Sequence, residues 1–224
     1  MNEFDKFSAS YKDILDRDVK CFGEDSEYFA SYKAMYVYRY LAGSFNGNIL
    51  DYGCGIGVVS KFLYKFFKNK NVNIVGYDIS AESIKEASSH VDGVEFTKNF
   101  EDIETRTFDA IVIANVLHHI KVENRHKYLK KAVANLRRGG KIFIFEHNPY
   151  NPLTQRVVRS SILDREAVLI KSKDMRVLLK KAGIIPIKKM YIIFFPKILK
   201  IFRPLEPLLG RFPLGAQYVF VGEV

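Results

Sequence analysis

The residues best suited to chemistry fall in one short run, Asp51-Tyr52-Gly53-Cys54-Gly55-Ile56-Gly57, and in a second acid, Asp78, twenty-one residues past the last of those glycines. The run sits where a strand hands over to a helix. Ile49 and Leu50 precede it, and Val58, Val59, Phe62, Leu63, Phe66 and Phe67 follow at helical spacing. Glycines at such a turn let backbone approach a ligand and leave the first helical N–H groups free. An acid ending the next strand can accept hydrogen bonds from both hydroxyls of a ribose. Together these residues predict an adenosine-type cofactor. Three histidines, His118, His119 and His147, are candidates for moving a proton near neutral pH. Adjacent side chains do not easily share one pocket, so one of His118 and His119 is expected to pack. His147 follows an apolar strand directly, at the sheet edge where ligands bind, and is the stronger candidate for base or acceptor anchor.

The elements that must position these groups alternate along the chain. Residues 1–45 read as helices, with Phe4, Phe7, Tyr11, Ile14 and Leu15 in one segment and Tyr28, Tyr32, Met35, Tyr36 and Tyr40 in another. Strands are expected at 48–53, 72–77, 94–97, 108–114 and 141–146, with helices at 57–69, 80–89 and 123–138. Ser80 is the expected N-cap of the second of these helices, and Gly139-Gly140 the stop of the third. The fourth and fifth strands are almost continuously apolar, as when helices cover both faces of a sheet. Strands alternating with helices predict a doubly wound, parallel α/β sheet. Beyond residue 147 come a long insertion, a helix at 172–182, and strands at 184–195 and 217–222.

The spacing G-x-G-x-G with an acid two residues ahead differs from the dinucleotide fingerprint G-x-G-x-x-G. It resembles motif I of the class I S-adenosylmethionine-dependent methyltransferases, strongly over residues 45–147 and weakly elsewhere. The resemblance implies a Rossmann-like seven-stranded sheet with an antiparallel last strand and insertions after the fifth and sixth strands. It also implies one domain over 1–224: a lid at 1–45, a cofactor core at 46–147, and acceptor-site elements at 148–224. Carried over residue by residue, it assigns the cofactor to Asp51, Gly53, Gly55, Gly57, Asp78 and Ile79. It adds Asn99 and Phe100 near the adenine, and Asn115 of the N-x-L-H-H run 115–119 at the methionine end. The opening Phe4 to Tyr11 is similar to the family's lid, which places Tyr11 over the cofactor. The catalytic candidates are then His147, His119 and His118. The stretch Asn148 to Thr154 is similar to methyltransferases of surface-polysaccharide and secondary-metabolite pathways.

The insertion carries Arg156, Arg159, Arg165 and Lys171. Arg156 and Arg159, with Tyr150, are the expected acceptor-binding residues, which predicts a phosphate- or carboxylate-bearing small molecule methylated at oxygen. Asn148-Pro149-Tyr150 resembles a DNA amino-methyltransferase motif but follows the wrong strand, so a turn is the simpler account. The net charge of +10 permits nucleic acid, yet no base-reading motif accompanies it, and nucleic acid is not the expected partner. Residues 196–214 mix apolar and basic side chains, which fits peripheral membrane contact and a lipid or quinone acceptor, a dimer contact, or a plain lid; monomer and homodimer both stay open. A non-catalytic cofactor-binding protein is the remaining alternative. Two cysteines and scattered histidines show no metal-ligand spacing, so no metal is expected. The cysteine usage and the polar first residues predict a cytoplasmic location.

Overall fold

The computed structural model describes residues 10–41, 43 and 45–224. Phe4 and Phe7 of the expected first helix lie outside the described residues. Tyr11–Asp18 (α1) and Ser26–Leu41 (α2) lead into the sheet, joined by a 3-10 turn at Val19–Phe22. The strands are Gly47–Tyr52 (β1), Val72–Tyr77 (β2), Glu95–Thr97 (β3), Phe108–Ala114 (β4), Leu136–His147 (β5), Ile185–Ile192 (β6) and Gln217–Glu223 (β7). Their order is β3-β2-β1-β4-β5-β7-β6. The first five are parallel, and β7 runs antiparallel to both β5 and β6. This is the expected Rossmann-like doubly wound sheet. Its strand order reverses between β1 and β4, which opens a crevice at their carboxyl ends.

The helices that cover the sheet follow from apolar periodicity. Val58–Phe67 (α3) buries Phe62, Leu63 and Phe67 on one face, where Phe67 meets Tyr38 of α2 edge to face. Ala81–His90 (α4) begins as expected: the Ser80 hydroxyl accepts the Ser83 N–H at 3.1 Å. Glu101–Glu104 (α5) is one turn, and Ser172–Lys181 (α8) ends at Gly183 with φ of 83°.

Two expectations fail for local reasons. The helix expected over 123–138 is shorter, Arg125–Val133 (α6), and β5 starts at Leu136 rather than at Lys141. Asn135 donates its side-chain amide to the carbonyls of Ile103, Glu104 and Arg106, pulling the chain off the helix. Leu136 then pairs with Phe108, and a register shift absorbs the extra residues before Ala110 meets Lys141. A helix at Pro152–Ser160 (α7) also stands inside the expected insertion. Asn151 caps it by accepting the Thr154 N–H at 2.9 Å, and Pro152 occupies its first turn.

Residues 197–205 form 3-10 turns leading into Glu206–Leu209 (α9). This excursion is strapped to α2. Buried Glu206 accepts from the Tyr32 hydroxyl at 3.0 Å and from the N–H groups of Phe194 and Phe195. Arg203 pairs with Glu24 at 2.7 Å and lies 4.3 Å over the Tyr28 ring. Its outer edge leaves Ile198 89%, Ile201 79% and Leu208 76% exposed. Among the described residues, no helix is long and apolar enough to cross a membrane.

Candidate active site

A cavity of about 350 Å³ opens at the carboxyl ends of β1, β2 and β4, with α1, the Val19–Phe22 turn and α2 as its roof. Gly53 and Gly55 line it from the β1–α3 turn. A Cβ on Gly55 would meet nothing within 4 Å, so this turn presents bare backbone to open space. The Gly55 N–H donates to Asp78 Oδ2 and the Ser80 N–H to Asp78 Oδ1, both at 2.9 Å. Each carboxylate oxygen is thereby oriented and keeps acceptor capacity. Ile79 lines the cavity with 66% of its surface exposed, and Tyr11 lines it from α1. Burial, Asp164 and Asp78 together push the Tyr11 hydroxyl's pKa up, so it stays a neutral donor.

Asn115 has φ of 59°, a left-handed conformation rare for any residue but glycine. Its side chain lines the cavity, and both amide atoms are buried with no hydrogen-bond partner among the described residues. A buried amide in that state calls for a polar ligand. Gln217 on β7 repeats the pattern, its Oε1 at the cavity wall without a partner among the described residues.

Four residues assigned to the cofactor by motif, Asp51, Gly57, Asn99 and Phe100, stand outside the cavity lining. Asp51 is fully buried and accepts the Ser60 hydroxyl at 2.6 Å, tying β1 to α3; burial pushes its carboxyl up to about 6 against that hydrogen bond. Gly57 starts α3 with φ of 77°, where a Cβ would sit 2.8 Å from the Phe96 ring. Asn99 and Phe100 belong to a turn closed on itself. Thr97 donates to Asp102, the Asn99 N–H donates to Thr97, and Phe100 packs on Tyr77 beneath the Lys131 ammonium.

Beside the end of β5, the histidines cluster. His118 is buried behind the wall, its Nδ1 2.6 Å from Glu146 Oε2 and its Nε2 3.3 Å from Asp164 Oδ1. His119 reaches the same Asp164 oxygen at 3.4 Å and lines the cavity. The ring of His147, also in the lining, lies 4.9 Å from that of His118. Burial opposes charge on His118, but Glu146 and Asp164 outweigh it and raise its pKa to about 9. Burial and the His118 charge lower His119 to about 3 and His147 to about 4.

The expected basic anchors are elsewhere. Arg156, Arg159, Arg165, Lys171 and Tyr150 are exposed and outside the cavity lining. The reason is the amphipathicity of α7, which buries Thr154, Val157 and Val158 and turns its arginines outward. The cation in the cavity wall is Lys33, 93% buried among Phe29, Ala30, Ala34 and Val37. Lys33 makes no hydrogen bond or ion pair among the described residues. Burial lowers its pKa to about 8, partly offset by the charges of Glu146 and Asp51. Sequence reasoning passed over Lys33, although a lysine on the core-facing side of an apolar helix is a readable signal. Glu146, ending the apolar strand Ile142 to Phe145, was another. Asp164 and Gln217 carried none.

Comparison with known proteins places this geometry. Residues 49–140 match the family model described as "Methyltransferase domain". Carboxy-S-adenosyl-L-methionine synthase of Colwellia psychrerythraea is 27% identical over 108 residues, covering 45% of this chain and 44% of that protein. Cyclopropane-fatty-acyl-phospholipid synthase of Escherichia coli is 30% identical over 95 residues, 41% of this chain and 24% of that protein. The matched stretches thus span less than half the length of these curated relatives. Among solved structures, a SAM-dependent methyltransferase from Archaeoglobus fulgidus superimposes with a TM-score of 0.66 at 14% identity, covering 92% of this chain and 97% of its own. A possible histamine N-methyltransferase from Thermotoga maritima gives 0.66 at 18% identity, with 98% and 97% covered. At these identities the structural likeness establishes the fold.

Proposed function

We propose that this chain, whose residues 49–140 match a methyltransferase-domain family model, is a class I S-adenosylmethionine-dependent methyltransferase that transfers a methyl group from that cofactor to an oxygen of a small anionic acceptor. The observation that carries the cofactor assignment is the pairing of Asp78, held by two backbone N–H groups, with the unpartnered amide of Asn115 across one cavity. The residues present fit the cofactor: Asp78 for the ribose, bare backbone at Gly55, Asn115 and the start of α3 for the amino-acid end, and Ile79 and Tyr11 as covers. When bound, S-adenosylmethionine supplies an activated methyl group on a sulfonium. The chain's own task is to hold the acceptor in line and exclude water. The helical roof α1–α2 serves the second purpose.

The anionic acceptor rests on Lys33. A lysine kept in an apolar wall against its own desolvation is poised to gain from an incoming carboxylate, phosphate or phenolate. His147 stands at the same end of the cavity to take the acceptor's proton, and Gln217 offers a hydrogen-bond acceptor. Calorimetry with S-adenosylhomocysteine and with NAD tests the cofactor; binding of NAD alone would sink the proposal. Screening carboxylate- and phosphate-bearing alcohols by S-adenosylhomocysteine release tests the acceptor. The expected result is turnover that Lys33→Met abolishes.

A second reading has its own observation. The exposed edge Ile198, Ile201 and Leu208, flanked by Lys197 and Lys200, fits the surface of an anionic membrane and hence a lipid or quinone acceptor. Co-sedimentation with anionic vesicles, lost in Ile198→Ser/Ile201→Ser, would favour it; absence from the vesicle pellet would exclude it.

A further inference from the structure

We propose that His118, His119 and Asp164 bind one divalent transition-metal ion, with zinc as the best match, at the acceptor end of the cavity. The donor atoms converge on one point. Asp164 Oδ1 lies 3.3 Å from His118 Nε2 and 3.4 Å from His119 Nε2. One ligand atom from each of the three residues falls within 4.8 Å of the others. Two atoms bound at about 2.0–2.1 Å to a tetrahedral zinc stand roughly 3.3–3.4 Å apart, which is the spacing seen. Hydrogen bonds between nitrogen and oxygen are shorter, about 2.9 Å. Both distances from Asp164 thus match the spacing of two ligands on one such ion.

The surrounding shell is also that of a metal site. Buried Glu146 takes the Nδ1 side of His118 at 2.6 Å, and its other oxygen accepts the Leu117 N–H at 2.8 Å. With a metal bound at Nε2, Glu146 would keep the remaining ring proton on Nδ1 of His118. A carboxylate–histidine pair of this kind orients and strengthens a metal ligand. A divalent ion would displace the proton that His118 Nε2 presents to Asp164, as metal binding to histidine does in general. A proton bridges only one nitrogen–oxygen pair, whereas a divalent ion satisfies both histidines and the carboxylate together. Two histidines and one carboxylate leave coordination positions open, and His119 carries the site into the cavity wall. An ion there would take an acceptor hydroxyl or carboxylate oxygen as a further ligand. That role rests on the methyltransferase reading; the binding of the ion does not.

The test uses the full chain, stripped with EDTA and titrated with Zn²⁺ by calorimetry and with Co²⁺ by visible absorption. One equivalent should bind, with the intense cobalt bands of a low-coordinate nitrogen–oxygen site. Asp164→Asn and His119→Ala should each lower affinity at least tenfold while melting as cooperatively as the parent chain. His118 is buried, so its variants are left aside. Binding of less than a tenth of an equivalent at excess metal overturns the proposal, as does equal affinity in both variants. S-adenosylhomocysteine binding is measured on the same metal-free samples. Its retention without metal binding removes the ion site and leaves the methyltransferase reading standing; its loss from the metal-free parent counts against that reading instead.

Discussion

Replacing Lys33 by Met should make the protein more stable at neutral pH while disabling it, and the pH dependence of that gain tests the reasoning. Lys33 has its pKa lowered from 10.5 to about 8, chiefly by burial. In the unfolded chain it titrates near 10.4. Between about pH 8 and 10.5 the unfolded state therefore holds more protons than the folded state, so folding stability from this group rises with pH across that window. Below pH 8 both states are charged, and the full penalty of the buried ammonium applies. At about 1.4 kcal/mol per unit, that penalty is about 3 kcal/mol at pH 7. Raising the pH to 9.5 should remove roughly 2 kcal/mol of it. The assay is urea unfolding of the parent and of Lys33→Met at pH 7 and 9.5. Taking the difference between the two proteins cancels the other titrating groups. The advantage of the Met variant should shrink by roughly 2 kcal/mol over that interval. A constant difference, or one that grows with pH, refutes the claim that Lys33 is a desolvated charge, and with it the argument that it waits for an anion.

Other outcomes follow from the same geometry. Asp78→Ala should weaken S-adenosylhomocysteine binding by about 2–4 kcal/mol in calorimetry, because two charge-assisted hydrogen bonds are lost. Asn115→Gly keeps the left-handed backbone and deletes an amide unpartnered among the described residues; the melting temperature should hold or rise while cofactor affinity falls roughly tenfold. Tyr32→Phe removes one hydrogen bond to buried Glu206 and should cost about 1.5–3 kcal/mol in denaturant unfolding. His147→Ala should depress turnover with little change in acceptor binding if the ring takes a proton, and depress binding if it anchors.

Local sequence pattern placed the residues of the strand-end turns in the cavity far better than those brought there by tertiary packing. Gly53, Gly55, Asp78 and Asn115 lie next to strand ends, so local pattern and topology fix their positions together. Asp51 and Gly57 share the same motif yet serve the frame, because a motif specifies a turn and a turn needs residues that face inward. The wall bearing Lys33, His147 and Gln217 is assembled from α2, β5 and β7, with the loop bearing Asp164 beside His119, and these meet only through tertiary packing. Arg156 and Arg159 were drawn to the site by their segment, but the buried stripe of α7, Thr154, Val157 and Val158, points the other way. The same accounting explains β5: Asn135 satisfies three carbonyls that no periodicity rule would pair with it.

The strap at Glu206 makes the roof of the cavity and the exposed apolar edge a single mechanical unit. One carboxylate holds Tyr32 on α2 and the amides of Phe194 and Phe195 beside the excursion, and Lys33 is the next residue along from Tyr32. A surface that docks against Ile198 and Ile201 therefore pushes on the helix that carries the buried ammonium. Anything that engages that edge, whether a bilayer or a second chain, would bear on the roof of the cavity without touching the cavity itself.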